Sequence, residues 1–468
     1  MFRKNDGQLN FFDQEIFSKM IPQDHPLVKI KNNVDLSFVD QEVACHYSPD
    51  TGRPCIPPSV LFRILFLEIW ANLSDVQVCR ELQYNVLYRW FCDLAWSDPV
   101  PDPSTLVVFR RRLGEEGFRR LFDRLVEDLQ AKGFIKGKWV LVDGTKLVAH
   151  AAAKNTLTLV REGRARLLKA LAQKSLEEAK KLSRYAEPLP DREYSSQAEL
   201  LAAEKEVGRE LVAALKQHKE VPALKEELAF YERVLNGEGV GSFADPDARW
   251  GFKKKNEPFF GYKVYATATE EGFVTAVKVT PGNEAEAPQL PELVEETSRK
   301  GLRPRRLAAD KGYDYPNIHE YLQERNIRPY IPERASAKKE TGFTYDGEKD
   351  CMVCPQGKVS IGKTEHQNGG YIYYFSKKDC QKCPLKQGCL GEGSTHKRVY
   401  RNESPLKKVR AKCLKVAMRV RKEIERVFGH AKTWHKMSRA RYRGIKRVAL
   451  QVFLTFMVIN AKKAALIG

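Results

Sequence analysis

The order of short β-rich runs constrains the fold of this chain more than any other feature. Trp139–Val142, Tyr262–Thr269 and Phe273–Thr280 have the composition of three strands, and the last two are close enough to form a hairpin. Two further apolar runs, Arg306–Ala309 and Arg328–Ile331, alternate with helical patterns. A three-stranded meander followed by crossover helices predicts an α/β fold with a mixed sheet and helices on both faces.

Helical patterns flank these strands. Ala285–Lys300 and Pro316–Arg325 are predicted to be the crossover helices, and Pro405–Lys432 a long basic helix. Ile445–Leu466 is predicted to be the last helix. Its apolar stretch, Val448–Ile459, is too short to span a bilayer and favours a buried helix. No signal peptide is visible in the polar N-terminus, so we expect a soluble, intracellular protein.

Two other segments are helical in pattern. Residues 1–130 carry short amphipathic helices with Arg on their exposed faces, which suits either a helix-turn-helix-like DNA-binding unit or a bundle used for dimerisation. Residues 150–244 are rich in Ala, Leu, Lys and Glu, with apolar residues at heptad-like spacing from Leu224 to Leu235. We predict a helical insertion there, in the form of a coiled-coil arm.

The positive charge is concentrated near the C-terminus. The formal net charge is +20, and Lys397 to Arg447 holds 19 Lys and Arg against three Glu, a net of +16. Phosphate backbones attract such segments by Coulomb forces and counterion release. A solvated surface or a contact with an anionic membrane are the alternatives. Because no amphipathic anchor or lipidation signal accompanies the charge, nucleic acid is the favoured partner.

Two aspartates end predicted strands that the expected sheet order makes neighbours. Asp143 follows one run in WVLVDGT, and Asp310 follows another in RLAADKGYD. Either residue alone could simply form a turn. Together at one edge of a sheet they form the kind of carboxylate pair that binds divalent metals for phosphodiester chemistry.

A third carboxylate lies in the basic helix, in VRKEIERVFGHAK. The helical period places Glu425 on one stripe with Arg421 and Lys432, beside an apolar face. The alternative is a solvated salt bridge between Arg421 and Glu425. Glu423 is the rival carboxylate, but it is displaced by about 200° around the helix.

Five of the ten cysteines fall within 39 residues, which favours a zinc site over a secreted disulfide framework. CQKCPLKQGC supplies Cys380, Cys383 and Cys389 as candidate thiolate ligands of one tetrahedral Zn²⁺. The fourth ligand is Cys354 or Cys351, with His396 in reserve. Free buried thiols or an iron–sulfur cluster are the alternatives.

The strings VDGTKL and ADKGYD, followed by the RxxxExxxxxxK spacing, resemble the DDE transposases of bacterial insertion sequences. DPDAR, PFFGYKV and VTPGNEAEAPQL also match the subgroup that has a helical N-terminal transposase domain and a cysteine-bearing insertion. Position 418, where the related signature has Tyr, is Met here. The resemblance favours Cys354, because that subgroup has a cysteine just before Pro-x-Gly.

The resemblance implies an RNase H-like catalytic domain, the fold to which the predicted strand order also corresponds. It implies that Asp143, Asp310 and Glu425 bind two Mg²⁺ or Mn²⁺ ions, and that Arg421 and Lys432 contact DNA. The expected parts are a helical N-terminal DNA-binding or dimerisation domain (residues 1–130), a catalytic domain in three pieces (131–149, 245–335 and 400–468), a helical insertion (150–244) and a zinc-binding insertion (336–399).

The expected activity is cleavage at transposon ends and joining of the freed 3′-hydroxyl to target DNA. The expected partners are double-stranded DNA carrying terminal inverted repeats, target DNA and a second copy of the chain. No membrane partner is expected, and the location is the bacterial cytoplasm at the nucleoid. A non-catalytic DNA-binding protein and a metal-dependent nuclease without strand transfer are the alternatives.

Overall fold

A computed structural model describes residues 11–48, 55–216, 222–252, 256–332, 342–366, 370–391, 393–401 and 411–467. The N-terminal helices are α1 (Phe11–Met20), α2 (Pro26–Asn33), α3 (Phe38–Glu42), α4 (Pro58–Trp70), α5 (Asp75–Tyr84), α6 (Val86–Phe91) and α7 (Pro103–Ala131). α7 is broken by a kink at Gly114, whose positive φ of 61° is readily adopted only by glycine.

The described residues contain nine more α-helices between the first strand and the last helix. They are α8 (Thr156–Ala172), α9 (Leu176–Lys181), α10 (Gln197–Leu215), α11 (Pro222–Leu235), α12 (Leu290–Arg299), α13 (Pro316–Glu324), α14 (Lys377–Gln381), α15 (Lys386–Cys389) and α16 (Ala411–His435). The last helix is α17 (Ile445–Ile467). The predicted start of the basic helix, residues 405–410, lies outside the described residues.

In the described residues the main sheet has six strands: β1 (Trp139–Val148), β2 (Arg249–Phe252), β3 (Pro258–Thr269), β4 (Val274–Pro281), β5 (Arg306–Ala308) and β6 (Arg328–Tyr330). β1, β3 and β4 form an antiparallel meander, and β5 and β6 join β1 in parallel. β2 pairs with the start of β3. The predicted mixed sheet, with the two Asp-bearing strands as neighbours, is therefore confirmed.

Two predicted boundaries near the site are wrong. β1 does not end before Asp143 but continues to Val148, because residues 143–148 keep pairing with β3, from Asp143 opposite Ala266 to Val148 opposite Gly261. The helix predicted over Ala285–Lys300 begins only at Leu290, after a separate 3-10 turn at Ala287–Gln289. Both differences leave carboxylates in extended or irregular backbone at one edge of the sheet.

Side chains alternate across the sheet and divide its packing between two layers. Val140 and Val142 face α12 and α13, whereas Leu141 and Leu147 face the opposite side, where α16 and α17 pack. Helices therefore cover both faces, as predicted. The side that α17 covers also receives the N-terminal helices, so those helices, α17 and one face of the sheet share one apolar core.

α17 lies at the centre of that core and packs against α2, α4, α7 and β4. Among the residues that the structure describes, α17 is the one helix that is long and apolar enough to cross a membrane by length and composition. Most of it is nevertheless enclosed by protein. Asn460 marks its role as a core helix, because its buried amide exchanges two hydrogen bonds with the backbone of Val274, at 2.9 and 2.8 Å. The prediction of a buried helix is confirmed.

The helical insertion has a core of its own. α8 packs against α9, α10 and α11, and their apolar residues form one cluster that includes Leu167, Leu211, Leu228 and Tyr231. The predicted helices are present, but the predicted coiled-coil arm is wrong. α8 and α10 both pack against α11, so the insertion is a compact bundle.

A buried ion pair holds this bundle together. Glu204 on α10 is fully buried and pairs with the equally buried Arg164 of α8. Its carboxylate also receives Arg161 at 2.6 Å and the backbone N–H of Leu189 at 3.0 Å. The carboxylate thus compensates a guanidinium that has no access to water.

Replacing Glu204 with Ala is expected to destabilise the insertion by about 3–5 kcal/mol, because it leaves the charge of Arg164 buried and unpaired. Amide hydrogen exchange in α8, α10 and α11 should accelerate accordingly. Glu206→Ala is the matched control, since Glu206 lies on the same helix but is exposed and pairs with the exposed Arg209, at 2.7 Å. Equal exchange in the two variants would contradict the expectation.

The cysteine-rich segment follows β6 and forms two small sheets. Its strands are β7 (Thr344–Asp346), β8 (Cys351–Val353), β9 (Gly362–Glu365), β10 (Tyr371–Tyr374) and β11 (Arg398–Arg401). A separate small core includes Met352, Tyr373, Phe375 and Val399. The segment thus has its own packing, and α14 carries Cys380 while α15 ends at Cys389.

Candidate active site

Asp143 and Asp310 lie at the same level of the sheet. β1 and β5 pair in parallel from Trp139 opposite Arg306 to Leu141 opposite Ala308, so each aspartate comes two residues after the last pair. Asp143 remains inside its strand, whereas Asp310 has left the shorter β5. The register therefore places both carboxylates at one point of the sheet edge.

Local hydrogen bonds orient each aspartate. The Asp143 Oδ1 atom accepts the backbone N–H of Gly144 at 2.9 Å. Asp310 caps the following 3-10 turn, because its Oδ1 accepts the N–H of Gly312 at 2.7 Å. Each side chain is thus held by the glycine of its own motif.

Arg421 connects Asp143 with Glu425. One guanidinium nitrogen of Arg421 lies 3.2 Å from Asp143 Oδ1, and the other pairs with Glu425 Oε1 one helical turn later. α16 packs directly on β1, which brings the stripe of the helix over the strand. The salt bridge considered from the sequence does exist, and the same guanidinium also reaches the Asp143 carboxylate.

Glu423 faces elsewhere. It pairs with Arg426, and its other oxygen lies 4.0 Å from Lys463 of α17. Glu425 is half-exposed, beside Arg421. The angular argument that separated the two glutamates on the helix therefore corresponds to two different surroundings in the fold.

A fourth carboxylate, Glu286, which the sequence reasoning missed, lies at the same edge. One of its oxygens is 3.3 Å from where a Cβ on Gly312 would be, and the other is 3.7 Å from the equivalent point on Gly144. The strand directions could have revealed it. β4 runs in the same direction as β1, so the loop after β4 reaches the edge where Asp143 and Asp310 lie.

The carboxylates are crowded enough to influence one another. Burial raises the pKa of Asp143 to about 6, Arg421 opposes that rise, and Asp310 and Glu425 add to it. Burial also raises the pKa of Glu286, and the negative charge of Asp310 raises it further. Arg421 pairs with Asp143 and Glu425, whereas Lys263 and Arg421 both act against the raised pKa of Glu286.

The remaining candidates on α16 have simpler surroundings. Lys432 is half-buried two turns beyond Glu425, on the same helix. Met418, at the position where the related signature has Tyr, is half-buried against the main core. Met418 thus packs as an apolar residue here.

Four of the candidate zinc ligands surround one pocket of about 700 Å³. Cys354, Cys380, Cys383 and Cys389 all line it, and Cys351 does not. The N–H of Lys397 donates to the sulfur of Cys380 at 3.4 Å. Cys351 instead lies in β8, where it is buried.

In the described ranges, no three His, Cys, Asp or Glu side chains are arranged closely enough to hold a metal ion. The donor types nevertheless fit. Carboxylate oxygens are the donors that Mg²⁺ prefers, and the crowded acids at the sheet edge need a compensating cation. Arg421 supplies that positive charge between Asp143 and Glu425. The sulfur pocket has the donor chemistry of a zinc site.

Comparison with models of protein families identifies the family of this chain. The model of the Transposase DDE domain family matches residues 227–461, which is half of the chain. This chain belongs to the DDE transposase domain family. The model of a Transposase domain (DUF772) matches residues 15–112, in the N-terminal helices of this family member.

One curated relative of this DDE-family chain is the transposase for insertion sequence element IS1106 of Neisseria meningitidis serogroup B, which is 35% identical over 104 residues. That match covers 22% of this chain and 34% of the relative, so the chain spans about a third of that relative's length. Among solved structures, a piggyBac transposase synaptic complex with hairpin DNA matches with a TM-score of 0.31 and 9% identity, over 93% of this chain and 73% of that one.

Proposed function

We propose that this chain is a DNA transposase that cuts transposon ends and joins them to target DNA at the edge formed by Asp143, Asp310 and Glu425. The observation that carries the proposal is the double contact of Arg421, which joins Glu425 of α16 to Asp143 of β1. Asp310 lies level with Asp143 by strand register. Three carboxylates that are distant in sequence would thus meet at one edge of a sheet with the RNase H-like order.

The residues have distinct roles in this proposal. Asp143, Asp310 and Glu425 would hold two Mg²⁺ or Mn²⁺ ions through their oxygens. When bound, such ions activate an oxygen nucleophile and stabilise the charge on a pentavalent phosphorus. Asp143 and Asp310 are fixed by the backbone N–H groups of Gly144 and Gly312, so they meet the cation already oriented.

The basic groups on α16 would bind the DNA strand being cut. With the carboxylates neutralised, Arg421 would leave its ion pairs, and its guanidinium would suit a phosphate. Lys432 would contact a phosphate farther along the same helix. The segment from Lys397 to Arg447, with its net charge of +16, would supply the wider attraction for double-stranded terminal repeats and target DNA.

The direct test incubates the full chain with labelled DNA carrying the flanking terminal repeats, with Mg²⁺ or Mn²⁺. We expect nicked ends with 3′-hydroxyls and joined products, both absent for Asp310→Asn. Cleavage without joining would favour the nuclease, and binding without either reaction would favour a non-catalytic DNA-binding scaffold. Equal products from the parent chain and Asp310→Asn would refute the catalytic assignment.

The assembly and location follow from that substrate. Two transposon ends must be brought together, so we propose a homodimer on DNA, with the N-terminal helices contributing to DNA binding or dimerisation. A chromosomal substrate places the protein in the bacterial cytoplasm at the nucleoid. Sedimentation of the chain with and without end DNA would test the dimer.

We also propose a structural Zn²⁺ held by Cys354, Cys380, Cys383 and Cys389. All four line one pocket, where the backbone N–H of Lys397 donates to the sulfur of Cys380. This segment has only a small core of its own, so a bound metal would add to its stability.

Replacing Cys354 with Ser is expected to remove the zinc from the purified chain, because three thiolates leave the tetrahedral site incomplete. Cys351→Ser should keep about one zinc per chain, since Cys351 lies away from the pocket. Elemental analysis of both variants gives the measurement, with the exposed Cys413→Ser as control. If only Cys351→Ser loses zinc, then Cys351 is the fourth ligand and Cys354 is not.

A further inference from the structure

Glu286 is positioned by irregular backbone at the catalytic edge. It lies between the end of β4 at Pro281 and the 3-10 turn at Ala287–Gln289, outside any regular element. The loop is anchored beside it, because the backbone oxygen of Glu284 accepts Lys263 Nζ at 2.7 Å and the Tyr265 hydroxyl at 3.1 Å. The Glu286 side chain is consequently directed by a fixed loop.

The two motif glycines make room for this carboxylate. A Cβ on Gly312 would lie 2.8 Å from Asp310 Oδ1 and 3.3 Å from Glu286 Oε2. A Cβ on Gly144, the residue after Asp143, would lie 3.7 Å from Glu286 Oε1. The Glu286 carboxylate therefore sits between the two aspartate motifs and faces the Asp310 carboxylate across Gly312.

A buried hydroxyl without a partner lies in the same place. Tyr313 is fully buried, and among the described residues its hydroxyl has no hydrogen-bond partner. The charges of Glu286, Asp143 and Asp310 all act on that phenol. An orphaned buried donor normally indicates a missing partner, such as a water or an ion-bound ligand.

We propose that Glu286 is a fourth carboxylate of the metal centre, and that it holds a divalent cation together with Asp310 while Tyr313 donates to that pair or to a water beside it. This inference rests on the proposed function. It extends the three-carboxylate set by one residue from the loop after β4. The cation would separate two like-charged groups that otherwise face each other.

The test measures Mn²⁺ binding to the full chain by titration calorimetry, in the absence of DNA. Glu286→Gln should weaken Mn²⁺ binding at least about tenfold, since even partners outside the ligand set cost that much. Glu284→Gln is the matched control, because its side chain is exposed two residues earlier, and it should bind as the parent does. Glu286→Asp, which keeps the carboxylate, should retain more affinity than Glu286→Gln.

The outcomes separate the two proposals. Parental Mn²⁺ affinity in Glu286→Gln, with weakened binding in Asp143→Asn, would overturn the role of Glu286 alone. Parental affinity in both variants would overturn the metal centre itself. Without Mn²⁺, Glu286→Gln should melt no lower than the parent, because it removes a negative charge beside Asp310. A lower melting temperature with equal loss of Mn²⁺ affinity in Glu286→Asp would indicate a structural role instead.

Discussion

Glu425→Gln is expected to reduce the rate of end cleavage at least about 1,000-fold, while Glu423→Gln changes it by less than about threefold. A metal that stabilises transition-state charge contributes several kcal/mol, and each 1.36 kcal/mol is about tenfold in rate. The two glutamates are separated by one residue on α16, so both lie on the same basic helix. They differ in the charged residues that they contact.

The surroundings of the two glutamates justify the contrast. Glu425 shares the guanidinium of Arg421 with Asp143, whereas Glu423 pairs with Arg426 and lies near Lys463. Removing the charge of Glu425 therefore removes one of the proposed oxygen ligands. Removing that of Glu423 removes only a surface ion pair, which is worth about 0–1 kcal/mol.

Single-turnover cleavage of labelled end DNA would provide the rates, and retention of end DNA in a gel shift without divalent metal would show that both variants still bind. Similar rates for the two variants would contradict the assignment of Glu425. A large loss in Glu423→Gln with a small loss in Glu425→Gln would transfer the role to the rival residue.

Patterns along the chain were sufficient to predict five of the six strands that the described residues form in the main sheet, and β2 was not among them. The strand order needed only the alternation of β-rich runs and helices, and the pairing of β1 with β5 places Asp143 level with Asp310 as expected. The choice of Glu425 over Glu423 needed only the helical period. These predictions rest on local periodicity and general rules of connection.

Features set by tertiary contact could not be predicted in this way. β1 extends past Asp143 because β3 offers pairing partners as far as Gly261, which depends on a segment more than 100 residues away. Glu286 looks like one more polar residue in a loop until the direction of β4 is known. The heptad-like stripe of α11 indicates a buried face, but not that both α8 and α10 cover it.

The N-terminal helices were expected to be a separate domain, yet their packing ties them to the sheet. Phe122 of α7 and Phe453 of α17 are both buried, with ring centroids 5.7 Å apart. An ion-pair group joins the same parts, since Glu68 of α4 receives Arg110 of α7 at 3.2 Å and Arg441 at 3.1 Å. The segment before α17 is thereby held by both α4 and α7.

This shared core predicts a large loss of stability when it is disrupted. Phe453→Ala is expected to lower the free energy of unfolding by about 3–5 kcal/mol, because it leaves a cavity between α7 and α17. Leu466→Ala is the control on the same helix, where the side chain is 84% exposed and the change should be within about 0.5 kcal/mol. Hydrogen exchange should accelerate together in α4, α7 and β4, because all three contact α17. If exchange accelerates in β4 alone, the N-terminal helices fold as an independent unit, and any DNA-binding role they have can be separated from the sheet.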